Sequence, residues 1–395
     1  MKRRPGMVMT SVLLAAGTLL VVLLIVAQQQ PSLTLSFQSP LADTFPTPTI
    51  THSFVMELFE SPISPPTRFP DVSGIQFADT IRPVQDSGVV APFFGFVWSP
   101  DSNSVIYAQL TDQVIVYEAN KGFAPITELR LHELDSGEET LLTSNGRFPK
   151  WSPSGNQILY ISWFDTNQSY TVLANLTTGE TSNRLENSVY AEWLSDDEIV
   201  AVDTEGKVKS LKLSPSSDDK SLDDLELTVS TNGPNSVIVS PNKKYIALVN
   251  ETQLSVFAVK DHQLMEVAQN EFTDIIGGIA WSPQSDSLAY VSSKSISIAR
   301  IDDSQIVSNT LDFQEIIGFP SSLSWSPDSR FLLYQGFDGV WVVDVNSSER
   351  KLLIPNTPDS DAVFSTPSWS PGGKTVILES DGNIYAVDLV FDTDK

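Results

Sequence analysis

One five-residue phrase recurs along this chain at a nearly constant interval, and that period constrains the fold more than any other feature. It reads WSPDS at Trp98–Ser102, WSPSG at Trp151–Gly155, WLSDD at Trp193–Asp197, VSPNK at Val239–Lys243, WSPQS at Trp281–Ser285, WSPDS at Trp325–Ser329 and WSPGG at Trp369–Gly373. The intervals are 53, 42, 46, 42, 44 and 44 residues, and six of the eight tryptophans stand at this one position. A period of this length marks a repeat architecture in which each unit is one supersecondary element.

Each unit repeats the same grammar. In the sixth, SSLSW leads into the turn Ser326–Ser329, then RFLLYQG, a turn at Phe337–Gly339, VWVVDV, and finally ERKLLI. Short runs rich in Val, Ile, Leu, Tyr and Trp, parted by Pro, Asp, Gly and Asn, are strands joined by tight turns. Four strands in about 44 residues make a propeller blade. Proline presets φ for the second turn position, and Asp, Ser, Asn or Gly tolerate the positions after it, so SPDS closes the hairpin between the first two strands. The tryptophan before it offers a large apolar face to the neighbouring blade. Trp98, Trp151, Trp193, Trp281, Trp325 and Trp369 are therefore read as structural.

Seven motifs predict an all-β, seven-bladed propeller of four-stranded antiparallel blades over residues 72–391. The count leaves the last blade one strand short, because only Val390–Lys395 follows its third strand at Asn383–Leu389. The segment 72–84 is expected to supply the missing outer strand and close the ring, which removes sheet edges.

The WSPDG-like turn followed by an IYVVDL-like third strand resembles the TolB-like β-propeller family, relatives of the WD-repeat propellers found in exported bacterial proteins. The resemblance covers about Phe93 to Leu389 and implies a scaffold whose activity resides in its loops. Seven motifs and a Pro-rich leader depart from the family's six-bladed type member with its additional N-terminal domain. The layout is also similar to membrane-anchored prolyl oligopeptidases of the dipeptidyl-peptidase type, but GxSxG, the nucleophile elbow such enzymes require, occurs nowhere.

The start of the chain sets the expected location. Lys2, Arg3 and Arg4 (residues 1–6) precede an uncharged run from Met7 to Ala27. As a helix at ~1.5 Å per residue that run spans roughly 31 Å, about one bilayer core. It reads as a transmembrane signal anchor, the alternative being a signal peptide cleaved near Ala27. No Lys or Arg occurs between Pro5 and Thr67, so positive-inside logic places the basic start in the cytoplasm and the propeller outside it. Residues 28–71 read as an extended extracytoplasmic linker, with eight prolines between Pro31 and Pro70.

Charge narrows the partners. The chain carries 24 Lys and Arg against 49 Asp and Glu, a net charge of −25. Nucleic-acid affinity rests largely on Lys and Arg displacing counterions, so a phosphate backbone is an unsuitable partner. The absence of cysteine removes thiolate metal sites, disulfides and Cys nucleophiles. Asp218, Asp219, Asp223, Asp224 and Glu226 form an acidic cluster in and just after an insertion read as Ser214–Asp224, without the Gly-permitted spacing of a calcium loop. No metal and no cofactor are expected.

The best binding candidates sit three and four residues before the motif, where the inner strands begin. Phe94, Arg147, Phe148 and Tyr190 come from the first three blades, beside the insertion Thr111–Pro125 that lengthens the first interval. Aromatic residues and Arg are enriched at protein interfaces. The expected function is a non-enzymatic, membrane-tethered scaffold that binds a protein or envelope component outside the cytoplasmic membrane. The alternative is an exported propeller hydrolase or lyase acting on carbohydrate or peptide.

Overall fold

The turn chemistry of the motif organises every blade. In the first, the N–H of Ser102 donates to the carbonyl of Ser99 at 3.0 Å, and Ser102 takes the left-handed conformation at φ 66°. The Ser99 side chain completes the loop by accepting the N–H of Ser104 at 2.9 Å. The motif serines at 152, 240, 282, 326 and 370 accept the N–H five residues on in the same way. These hydroxyls are buried, so the serine satisfies an inward-facing donor that would otherwise be costly to bury. The third blade is the exception, with Leu194 in the serine's place and a turn shortened by one residue to a Ser195↔Glu198 pairing.

A computed structural model describes residues 71–392, except 85–88, 92–95, 118–121, 165–167, 204–206, 214–221, 229–235, 251–252, 261–262, 272–275, 293–294, 303–304, 312–322, 337 and 357–364. Its strands form seven four-stranded antiparallel sheets. The inner strands are Phe96–Trp98, Arg147–Trp151, Ser188–Ser195, Ser236–Val239, Ile276–Trp281, Leu323–Trp325 and Ser365–Trp369. Inner strands of successive blades touch one another, which sets them around the axis. In blades one to six the strands follow chain order from inside to outside.

The seventh blade takes its outer strand from the N-terminal side of the ring. Ile75–Pro83 pairs antiparallel with Asn383–Phe391, from Ile75↔Phe391 to Pro83↔Tyr385. The segment just before it is latched onto the sixth blade: Asp71 pairs with Arg330 at 2.9 Å, and the Lys351 ammonium donates to the Ile75 carbonyl at 2.7 Å. Val72 and Ile75 are buried with Phe331 and Val342 of blade six and Val376 and Leu378 of blade seven.

Among the described residues the core divides into seven apolar clusters, one per seam between blades. Six contain a motif tryptophan. Trp98 packs with Ile377 and Ile384 of blade seven, and Trp325 with Ala280 and Ala289 of blade five. The indole N–H also reaches across the seam to the carbonyl just before the preceding blade's motif residue. Trp98 donates to Ser368, Trp151 to Val97, Trp193 to Lys150, Trp281 to Ile238 and Trp325 to Ala280, at 3.1 to 3.4 Å. Trp369 bonds its own turn at Gly373 instead, and its main-chain N–H takes the Ser324 hydroxyl of blade six at 2.9 Å.

The regions expected to be a transmembrane helix (7–27) and most of the Pro-rich linker (28–71) lie outside the described residues. Among the described residues no helix is long and apolar enough to cross a membrane. The outer strand of blade three begins at Leu222, so Asp223 and Asp224 stand in a strand and not in the loop expected at 214–224, and Glu226 follows in the same strand. Asp218 and Asp219 are outside the described residues.

Candidate functional site at the mouth of the ring

The two faces of the ring differ in regularity. One carries the SPxx turns and is called the turn face. The other, the mouth face, carries the starts of the inner strands and the turns between second and third strands. In blade one those two strands are much longer than their neighbours: Ser104–Tyr117 and Gly122–Glu133, against an inner strand of Phe96–Trp98 and an outer strand of Glu139–Thr143. The insertion Thr111–Pro125 is therefore the end of a two-stranded ribbon projecting from the mouth face, with Val114 opposite Pro125 and Val116 opposite Phe123.

The base of this ribbon is fastened to blade two. Gly146 and Thr127 exchange bonds, the N–H of Gly146 donating to the Thr127 carbonyl at 2.9 Å and the Thr127 hydroxyl to the Gly146 carbonyl at 2.6 Å. Arg147 follows immediately and donates from its guanidinium to the carbonyl of Pro125. It is 4% exposed. Arg147 was a candidate contact residue on sequence grounds, but its side chain is spent on the ribbon's base, where a bare carbonyl would otherwise be buried. It positions the ribbon and does not face solvent.

Phe148 and Tyr190 remain half-buried at the mouth. Their ring centroids are 5.9 Å apart with planes inclined at 44°, a tilted contact that joins blade two to blade three. Such pairs contribute about 0.5–1.5 kcal/mol beyond the area they bury. Phe148 is held at φ 52°, in the left-handed region, and Thr366 stands at φ 48° at the same offset in blade seven. The inner strand bulges at both places, between Arg147 and Lys150 and between Ser365 and Ser368. A bulge re-aims a side chain, and left-handed backbone in a bulky residue costs of order 1–2 kcal/mol. The bulge turns Phe148 toward Tyr190. The fourth candidate, Phe94, lies outside the described residues.

A second group of charged residues was not singled out from the sequence. Lys150 pairs with Glu192 at 3.2 Å with both side chains largely buried. Lys243, the last residue of the blade-four turn, donates from its ammonium to the Trp193 carbonyl at 3.0 Å. Burial pushes the Lys243 amine below its ordinary range, partly offset by the charge of Glu192. Blade four is the one whose motif begins with Val239, and Lys243 reaches into the seam that lacks an indole. The visible signal was that missing tryptophan. Its consequence needed the fold. Among the described residues no cluster of three or more His, Asp or Glu is placed to hold a metal.

No protein-family model matches this chain, and no curated protein does. Solved structures do. The β-propeller domain of Cps50 (Swd1) from Myceliophteria thermophila superposes with a TM-score of 0.57 at 9% identity, over 78% of this chain and 99% of that one. A chain of the mitotic checkpoint complex superposes with a TM-score of 0.58 at 14% identity, over 91% of this chain and 98% of that one. At these identities the likeness is one of fold alone, a β-propeller.

Proposed function

We propose that this protein is a non-enzymatic propeller scaffold, tethered to a membrane by its N-terminal segment, that binds a protein or envelope component outside the cytoplasm through its mouth face. The observation that carries the choice of face is where the chain joins the ring. Asp71 and Ile75 lie at the turn face, beside Arg330 and Phe391, so the chain enters the ring on that face and not at the mouth. The tether itself rests on the sequence: the basic start, the apolar run 7–27 and the Pro-rich stretch behind it. The TolB-like resemblance supports an exported scaffold in the same way.

The partner-facing surface is the edge formed by Phe148, Tyr190 and the blade-one ribbon. Two half-buried rings and a projecting ribbon offer the large, rigid contact area that protein interfaces favour.

The test uses the full chain in native membranes with a photocrosslinking amino acid at Tyr190 and, separately, at Asp101 on the turn face. Adducts from Tyr190 alone, together with retention of the chain in the membrane after alkaline extraction, support the reading. Adducts from Asp101 alone overturn the choice of face, and release by alkali overturns the tether. Turnover of a polysaccharide or peptide by the purified ring would reverse the non-enzymatic assignment.

A further inference from the structure

We infer that the Lys243 side chain is a nucleophilic modification site, whose amine condenses with a small aldehyde to form an imine. This goes beyond the proposed function and does not depend on its choice of face.

The turn itself does not call for a lysine. The same position holds Ser102, Gly155, Ser285, Ser329 and Gly373 in other blades, and like Lys243 at φ 63° all of them are left-handed. Where it is serine, the short hydroxyl accepts an N–H from the preceding blade's turn. A lysine ammonium has no acceptor to offer. Its four-carbon stem instead carries the nitrogen past the turn to the inner strand of blade three, where it donates to the Trp193 carbonyl at 3.0 Å.

The surroundings of that nitrogen favour the neutral amine. Lys150 and Lys209 each meet a carboxylate directly, Glu192 at 3.2 Å and Asp203 at 2.9 Å. Among the described residues no carboxylate stands at ion-pair distance from Lys243. Glu192 is committed elsewhere, one oxygen to Lys150 and the other to the main-chain N–H of Trp193 at 2.9 Å. Asp196 is held by the N–H of Ser154, also at 2.9 Å. Burial lowers the Lys243 pKa, the charge of Glu192 opposes that, the Lys150 ammonium adds to the lowering and Asp196 opposes it, and the balance falls below the ordinary range.

Losing the proton costs Lys243 no hydrogen bond. A carbonyl takes one N–H, which the neutral amine retains, and the lone pair is then free. A desolvated lysine next to another cationic group is an arrangement that activates the amine as a nucleophile. Lys243 is only half-buried, so the site is open to a small carbonyl compound. The nitrogen attacks the aldehyde carbon, its proton passes to the oxygen, and water leaves as the C=N bond forms. The step needs no oxidant or cofactor.

The test treats the full-length chain in detergent micelles with limiting formaldehyde and cyanoborohydride, whose hydride reduces the imine to N-methyl-lysine, and maps the label by peptide mass spectrometry. Lys244, exposed and next in sequence, is the internal reference. At neutral pH Lys243 is expected to label at least about fivefold faster than Lys244, and the ratio to fall toward parity above the ordinary lysine range, where both amines are neutral. Lys150→Met is expected to lower the neutral-pH ratio at least about threefold, because it removes the second ammonium and frees Glu192 to pair with Lys243. A neutral-pH ratio at or below parity overturns the inference. A high ratio that does not change with pH also overturns it, by assigning the labelling to access and not to the amine. An unchanged ratio in Lys150→Met with native tryptophan fluorescence does the same, and if that variant does not fold the wild-type pH profile decides.

Discussion

The seam between blades five and six and the seam between blades three and four solve one problem with different chemistry. At the first, Trp325 fills the gap with its indole, buries itself among Ala280, Ala289 and Leu332, and donates to the Ala280 carbonyl at 3.1 Å. At the second the motif residue is Val239, too small to span the gap and without a donor. The Trp193 carbonyl there receives the ammonium of Lys243 at 3.0 Å, and Glu192 supplies counter-charge to Lys243 while holding Lys150 at 3.2 Å. At the motif position, one seam is held by a buried indole with its neutral hydrogen bond, the other by apolar packing with a buried ionic group. The difference shows that the blade-three to blade-four seam closes without an indole, with an ammonium donating to the carbonyl one residue beyond the position that the indoles use elsewhere.

The comparison is sharpened most by truncating each motif residue. Trp325→Ala is expected to cost about 3–5 kcal/mol, and Val239→Ala about 1–2 kcal/mol, since the cost follows the buried volume removed. Urea unfolding of both variants measures it, and equal losses would mean that the indole seam has no special weight.

Breaking the ionic seam from its acidic side comes next. Glu192→Gln leaves two buried ammonium groups facing a neutral amide, and an effect of about 3 kcal/mol is expected, since removing one partner of a buried pair strands the other charge. Lys243→Met, which replaces a buried charge by an apolar chain of similar length, is expected to lie within about 1 kcal/mol of wild type. A loss with Lys243→Met as large as that with Glu192→Gln would refute the idea that Glu192 is the balancing group.

The same pair sets a pH dependence. Because folding lowers the Lys243 pKa below its unfolded value, the unfolded chain binds more protons between the two values, and stability rises with pH there. The contribution is complete above the ordinary lysine value and is lost as pH falls through the depressed one. Unfolding followed by tryptophan fluorescence through the alkaline range should show this slope in wild type and its disappearance in Lys243→Met.

The smallest effect concerns the turns. Third-position N–H groups donate to the fourth-position serine hydroxyl of the next blade: Gly372 to Ser102 at 2.8 Å, Asn242 to Ser285 at 2.9 Å and Gln284 to Ser329 at 3.0 Å. Blade two has Gly155 in that position, at φ +76°, with room for a Cβ 3.6 Å from Pro100. Glycine suits the backbone there but offers no acceptor. Gly155→Ala is expected to cost about 1 kcal/mol for the left-handed residue, and Gly155→Ser to recover most of it by accepting the N–H of Asp101. Thermal unfolding of the two variants separates the two terms, and identical melting would exclude the turn-to-turn bond as a source of stability.

Much of this architecture was legible because it is periodic. The interval, the strand grammar and the proline-led turns are local properties that recur, so each repetition confirms the last. The serine of the motif was read as a turn residue, and its second task, accepting an inward N–H five residues on, is also local but invisible without the hairpin's geometry. The candidate site was less legible. Arg147 and Phe148 are adjacent in sequence and were read alike, yet a bulge sends one into the ribbon's base and the other toward Tyr190. Nothing in the residue types distinguishes those fates.

Sequence alone determined that the chain forms repeated four-stranded sheets, how many there are, and that tryptophan belongs at their seams, because strand alternation, turn preference and burial of a large ring act within a few residues. Tertiary structure decided what depends on meeting distant chain. It set which carbonyl five of the six motif indoles take from the blade before them, and where Lys243 enters the seam that has no tryptophan. It also latches residues 71–75 onto blade six before they complete blade seven, and fastens the base of the blade-one ribbon to Gly146 and Arg147. A hydrogen bond between residues forty or three hundred positions apart has no local signature. It exists only once the ring has closed.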